Sequence, residues 1–233
     1  MKALLYKEFK LAMHPICYVF IALFPLMILI PSYPIAIGFI YLLSCYPILF
    51  LGANKGQQSN DLLYSTLLPV RKKDIVLARI FTVIIMQVAY MLIMSALLPL
   101  SFYIQKMIAE STAASGGEGA TIPGIPLNGF VSILGIAVIG FAVADLIFFP
   151  IYYKHGKSIV MSTLFTILGF LVYLGIFTIA LPYIPGCGWY VNFLANSGLG
   201  WQFLVLGIAI VISFLLHFLT YKISAKRLEK VDF

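Results

Sequence analysis

Between positions 15 and 54 the chain carries no charged residue. As a single helix this stretch would be about 60 Å long, twice the ~30 Å of a bilayer's hydrocarbon core. Pro31, Ser32, Tyr33 and Pro34 interrupt it near its middle, so its length fits two tight crossings, 16–31 and 34–51, joined by a proline turn. Further apolar runs cover 80–103, 127–152, 159–182 and 201–221. They are continuous, without the ten-residue alternation of barrel strands, which predicts helices. The expected fold is all-α: a polytopic membrane protein with six transmembrane helices in one domain, 1–233. Composition agrees, because 10% charged residues and a mean hydropathy of +1.05 leave too little charge to cover a soluble surface.

The formal net charge of +7 raises the question of a nucleic-acid partner. Its distribution argues otherwise. Every Lys and Arg except Lys106 falls within 1–15, 52–79, 153–158 or the tail from 222 onward. By the positive-inside rule these segments share the cytoplasmic side, which predicts a multi-pass plasma-membrane protein with both termini in the cytoplasm. The basic excess then reports topology and contact with anionic lipid, and no nucleic-acid partner is expected. The first apolar core starts late and no small-residue cleavage site follows it, so the first span is expected to remain as an anchor.

The segments outside the spans are distinctive. Residues 2–13 (KALLYKEFKLAM) read as an amphipathic interfacial helix with Leu5, Phe9, Ala12 and Met13 on one face and Lys7 and Lys10 opposite. It would serve either as a simple anchor or as a gating or docking element. The cytoplasmic loop 52–79 contains NDLLYSTLLPVRKKDIVLAR (60–79). Asn60 can cap a short helix there, Asp61 suits its positive end, and Leu68-Pro69 stops it. Leu63, Tyr64 and Leu67 would share one side with no core of their own, which asks for a partner protein; a re-entrant interfacial turn is the alternative. The RKKD cluster then opens the third span at the headgroup layer. On the other side, 105–126 (ending STAASGGEGATIPGIP) reads as a flexible loop. Residues 182–200 are uncharged and rich in aromatics, Gly and Pro, and would lie in the interface with Trp189 and Tyr190 at headgroup level, either capping a cavity or anchoring the bilayer edge.

Candidate chemistry is sparse. Asp145 is the acid placed inside a span, where an ionised carboxylate costs about 2.5–3.5 kcal/mol, so it should face protein or water. It lies nine residues before Lys154, about 13 Å along a helix, in the inner half of the bilayer. A proton relay and a structural polar contact are both open to it. Pro150 removes a helical hydrogen bond to Leu146 and invites a kink. His14, His155 and His217 lack ligand spacing, and Cys17, Cys45 and Cys187 form neither a disulfide framework nor a metal pair, so no metal is expected. Asn192, Asn196 and Gln202 are polar candidates for an outer vestibule. There is no G-x-x-x-x-G-K-[ST] motif, so no ATP-binding P-loop, and no catalytic or cofactor-binding residue is assigned.

The chain as a whole resembles the permease subunit of ABC-2 type exporters. The N-terminal KEF helix, the tight first hairpin, NDLLYSTLLPVRKKDIVLAR and the proline-plus-basic turn FFPIYYKHGKS (148–158) carry the likeness. In detail it is most similar to the small bacterial permeases of phenol-soluble-modulin and antimicrobial-peptide exporters. The resemblance implies two permeases, identical or paralogous, forming the pathway, with two separate ABC ATPase subunits beneath them binding ATP and Mg. It implies a coupling helix at 60–68, so that Asn60, Asp61, Leu63, Tyr64 and Leu67 would touch the ATPase. Lys154, His155 and Lys157 match the second cytoplasmic turn, and the 2–13 helix, with Leu5, Phe9 and Met13, matches the interfacial "elbow".

The spans offer little charge to a polar solute but many Phe and Tyr, which suits an amphipathic peptide or another amphiphile drawn from the membrane; the same aromatics would equally face lipid or neighbouring helices. Two other readings compete. One is an ion-coupled secondary transporter using Asp145, the other an immunity-type membrane protein that binds a peptide without moving it.

Overall fold

The structure, a computed structural model, describes residues 2–12, 16–23, 25–26, 65, 69–114, 127–155, 159–176 and 197–230. Its regular elements are all helical. Helix α1 (Lys2–Lys7) runs into a π-helical turn (Glu8–Ala12), followed by α2 (Ile16–Leu23), α3 (Lys72–Ala114), α4 (Leu127–His155), α5 (Ile159–Gly175) and α6 (Leu199–Glu229). Three segments are long and apolar enough to cross a membrane: Lys72–Leu97 of α3, Leu134–Lys154 of α4, and α6. Helix α5 is shorter, and its 17 residues reach about 26 Å. The second predicted span, 34–51, lies outside the described residues, as do 115–126 and 182–196.

Helix α6 shows how lipid, not water, sets the packing. Apart from Leu228 near its end, the residues it buries are small or polar: Gln202, Ala209, Ser213, Thr220, Ser224 and Ala225. Those it exposes are Phe203, Ile208, Val211, Phe214 and Phe218 among others. This inverted amphipathicity is expected where the surroundings are hydrocarbon and small residues let helices approach. Helix α5 follows the pattern in part, burying Ser162 and Thr166 together with Ile159, Phe170 and Tyr173 while Leu164, Phe165 and Leu168 face outward.

Helix α4 is central, packed along α6 on one side and α5 on the other. Close approach depends on Gly140, where a Cβ would stand 2.9 Å from the Phe170 ring of α5; one on Gly135 would make ordinary contact, 3.4 Å from Ala209 of α6. The Tyr173 hydroxyl fastens the α4–α5 seam by donating to the Ile136 carbonyl at 2.8 Å. Toward the Lys154 end, α4 carries Phe148, Phe149, Tyr152 and Tyr153, all buried, with Phe148 and Tyr152 stacked and Phe148 and Phe149 edge to face. These four aromatics are therefore helix-packing core, whereas others such as Phe165, Phe203, Phe214 and Phe218 are exposed.

Several expectations need correction. Residues 105–114, read as flexible loop, continue α3 as helix to Ala114. Good helix formers and an i,i+4 pair, Lys106 with Glu110 at 3.9 Å, favour this. Helix α6 likewise runs past 221 through the basic tail to Glu229. On α1 the inward face centres on Leu4 and Glu8, both buried, with Leu5 and Phe9 half-buried beside them. The reason is that Glu8 turns toward a cation on α3, which rotates the helix away from the purely apolar face. Met13 lies outside the described residues.

Candidate functional site

Two polar clusters interrupt the apolar helices. The first joins the N-terminal helix to α3. Arg79, about two turns into α3, is 3% exposed, and its Nε donates to Glu8 Oε2 at 3.0 Å while Nη2 donates to Oε1 at 3.3 Å. This two-pronged pairing satisfies both carboxylate oxygens, which a buried ion pair requires to offset its desolvation. Arg79 Nη1 also donates to the Tyr152 hydroxyl of α4 at 3.4 Å. Beside it, Lys7 lies 3.8 Å from Glu8 and hydrogen-bonds the hydroxyl of Ser65, which is itself buried. Tyr18 of α2 donates to the Phe9 carbonyl at 2.7 Å. One compact node thus ties α1, α2, α3, α4 and Ser65 together.

The second cluster lies between α3, α4 and α6. Asp145, with no solvent exposure, accepts through Oδ2 from Gln87 Nε2 at 3.1 Å and is bonded to His217 Nε2 at 2.9 Å. The other ring nitrogen of His217 lies 2.7 Å from the Ser213 carbonyl. A carbonyl only accepts, so Nδ1 carries a proton. Nε2 and Oδ2 then share one more, and the pair is neutral whichever atom holds it. That arrangement places a carboxyl in hydrocarbon without a net buried charge. Oδ1 of Asp145 has no partner among the described residues.

Above this cluster the three helices enclose a cavity of about 450 Å³. Gln87, Ser213 and His217 line one end, and Leu134, Val138 and Leu206 line the remainder along with other apolar side chains and Ser95. Val88, Leu92 and Ile210 line it and are also exposed on the outer surface, so the cavity opens sideways between helices. Helix α3 meets α4 through long side chains, Gln87 to Asp145, Arg79 to Tyr152 and Tyr90 edge-on to Phe141, and this bridging leaves the space.

The residues singled out in the sequence fare unequally. Asp145 is placed at the centre of the second cluster. Lys154 is exposed at the end of α4, where His155 is the last helical residue; Lys157 lies outside the described residues. Asn60, Asp61, Leu63, Tyr64 and Leu67 also lie outside them, with Ser65 the one described residue of their segment. Gln202, expected at an outer vestibule, is fully buried and donates to the Ser197 carbonyl at 2.9 Å, while its Oε1 has no partner among the described residues; Asn192 and Asn196 are not described. Sequence reasoning missed Glu8, Arg79, Gln87 and His217. For His217 a signal existed: Gln202, Ser213, Thr220 and Ser224 form a polar stripe along α6, and His217 lies on it.

No curated protein and no solved structure matches the chain. A family model described as "ABC-2 family transporter protein" matches residues 3–229, nearly the whole sequence. An integral membrane chain of this kind is the permease component of an ABC transporter and implies an ABC ATPase as its partner. By that match, over helices with the lengths and apolar surfaces described above, the chain belongs to the ABC-2 transporter family.

Proposed function

We propose that this permease exports amphiphiles, amphipathic peptides among them, with ATP and Mg held by two ATPase subunits beneath a pair of permeases. Both termini lie on the cytoplasmic side of a bacterial plasma membrane in this reading, with six spans in each permease. The ATPases dock on Asn60, Asp61, Leu63, Tyr64 and Leu67, flanked by Lys154, His155 and Lys157. The small peptide exporters that the sequence resembles are the favoured subtype.

The observation that carries the reading is the node around Glu8 and Arg79. Through Lys7 and Ser65 it joins the proposed docking segment to α1, and through Arg79 it joins α1 to α3 and α4. A push on 60–68 is thereby delivered to two of the three helices that wall the cavity. Transport requires that ATP-bound and ATP-free partners contact this face differently, which shifts the balance between closed and open arrangements of those helices.

Reconstitution with its ATPase in vesicles tests this. ATP-dependent efflux of an amphipathic peptide that stops with a hydrolysis-dead ATPase is the expected result; efflux unaffected by that ATPase would overturn the proposal. The Asp145–His217 pair is the one observation favouring an ion-coupled transporter instead. Asp145→Asn separates the two: retained ATP-driven efflux excludes ion coupling through this residue.

A further inference from the structure

Along its last turns, α6 changes from a hydrocarbon-facing helix into a cationic one. Phe214 and Phe218 face outward, and Lys222, Lys226 and Lys230 continue from them at four-residue steps, all three exposed. Residues four apart are neighbours on a helix surface, about 6 Å from one another along the axis. The fourth basic residue of the tail leaves this face, because Arg227 donates to the Pro150 carbonyl of α4 at 2.6 Å. The three lysines form no ion pair among the described residues, and Glu229, exposed three positions beyond Lys226, pairs with none of them.

Lys222 is the informative member. Its ammonium stands 4.9 Å from the centre of the Phe218 ring, folded back along the helix toward the preceding turn. Phe218 itself faces lipid, so this contact holds a cation at the edge of the hydrocarbon. The ring offsets part of the cost of drawing a charge away from water, and an anion at the same depth would offset the rest. Lys226 and Lys230 follow on the headgroup and water side. Hydrocarbon, phosphate and polar head is the order in which a phospholipid presents its groups to a helix. A soluble anion would match the lysines and leave Phe214 and Phe218 without a role. An acidic protein surface would not reach the hydrocarbon edge where Lys222 is held.

We infer that this face of α6 is a binding site for one anionic phospholipid, with its phosphate between Lys222 and Lys226, an acyl chain along Phe218 and Phe214, and its head toward Lys230. Clustered cations beside the end of a membrane helix favour anionic lipid in general; here the stacked Lys222 and the inward turn of Arg227 narrow that attraction to one place. A zwitterionic lipid would bring its own cation to the lysines, so the site selects net negative charge. The inference rests on insertion of α6 in a membrane, and neither the substrate nor the direction of transport enters it.

The test uses the full chain, without the ATPase, in phosphatidylcholine nanodiscs doped with phosphatidylglycerol that carries a diazirine near the top of one acyl chain. After illumination, labelled peptides are mapped by mass spectrometry. Labelling of the 214–230 segment should saturate with probe and be displaced by unlabelled phosphatidylglycerol, and the same diazirine on phosphatidylcholine should label it several-fold less. Lys222→Gln and Lys226→Gln should each weaken apparent affinity by about fivefold, the effect of one cation near a membrane surface. Lys222→Arg/Lys226→Arg should label as wild type. Lys2→Gln/Lys73→Gln removes two exposed cations from other helices and should leave labelling of α6 unchanged; a loss equal to that of Lys222→Gln/Lys226→Gln would mean diffuse attraction and overturn the inference. Labelling that does not saturate, or that treats the two lipids alike, would overturn it as well. So would wild-type labelling of Lys222→Gln/Lys226→Gln, and loss of ATPase binding by that variant would then assign the lysines to a protein partner.

Discussion

Arg79 of α3 and Glu8 of the N-terminal helix form a two-pronged ion pair at 3.0 and 3.3 Å, with both side chains more than nine-tenths buried and 71 positions apart in sequence. A surface pair would contribute little, but a buried one behaves asymmetrically: it gains modestly when whole and costs much when halved.

Halving it is the first prediction. Arg79→Met or Glu8→Met alone should destabilise the protein by about 3–5 kcal/mol, because a charge is left buried without its partner. The double variant should cost less than the two singles added together. Thermal unfolding of all four proteins in the same lipid nanodisc closes the cycle; additive losses would mean that the two residues do not act as a pair.

The intramembrane cluster should respond in the same way. His217→Leu leaves the Asp145 carboxyl with Gln87 alone and should cost about 1–3 kcal/mol. Asp145→Leu/His217→Leu should recover much of that loss, since it removes both polar groups from hydrocarbon. A double variant less stable than His217→Leu would show that the cluster is held by something other than this pairing.

The α4–α5 seam tests packing without charge. At Gly140 a Cβ already meets the Phe170 and Tyr173 rings, so Gly140→Val should overpack the seam and cost about 1–3 kcal/mol. At Gly207 of α6 a Cβ meets nothing within 4 Å, and Gly207→Val should stay within about 0.5 kcal/mol of wild type. Equal effects at the two sites, measured by unfolding in nanodiscs, would contradict the close approach described at Gly140.

Helix α6 is tied to α4 near its tail, where Arg227 Nη1 donates to the Pro150 carbonyl at 2.6 Å. Loss of this charge-assisted bond in Arg227→Ala should cost about 1.5–3 kcal/mol and raise amide exchange in the last turns of α6 and α4. Faster exchange at the opposite end of α6 alone would argue against the tether.

What the sequence discloses here follows from how far each physical signal reaches. Helical class and the positions of α4 and α6 are local properties of apolar runs, and Pro69 with the following basic cluster marks the start of α3 within a few residues. The end of α3 is not legible: Ser, Ala and Gly around 111–117 suggest a loop, while the Lys106–Glu110 turn continues the helix into that composition. Asp145 is conspicuous because an acid in hydrocarbon needs a reason. Its partners are not, since Gln87 and His217 lie 58 and 72 positions away and each looks unremarkable in its own run. Arg79 reads as one more headgroup cation until Glu8 is placed against it.

The central claim is that this chain works by coupling to an ABC ATPase through its 60–68 segment. Co-purification with that ATPase, followed by ATP hydrolysis measured in the presence of the permease, tests it most directly. Wild type should bind the ATPase and stimulate hydrolysis, while Leu63→Asp/Leu67→Asp, folded and inserted normally, should do neither. Equal binding and equal stimulation by the two proteins would contradict the account.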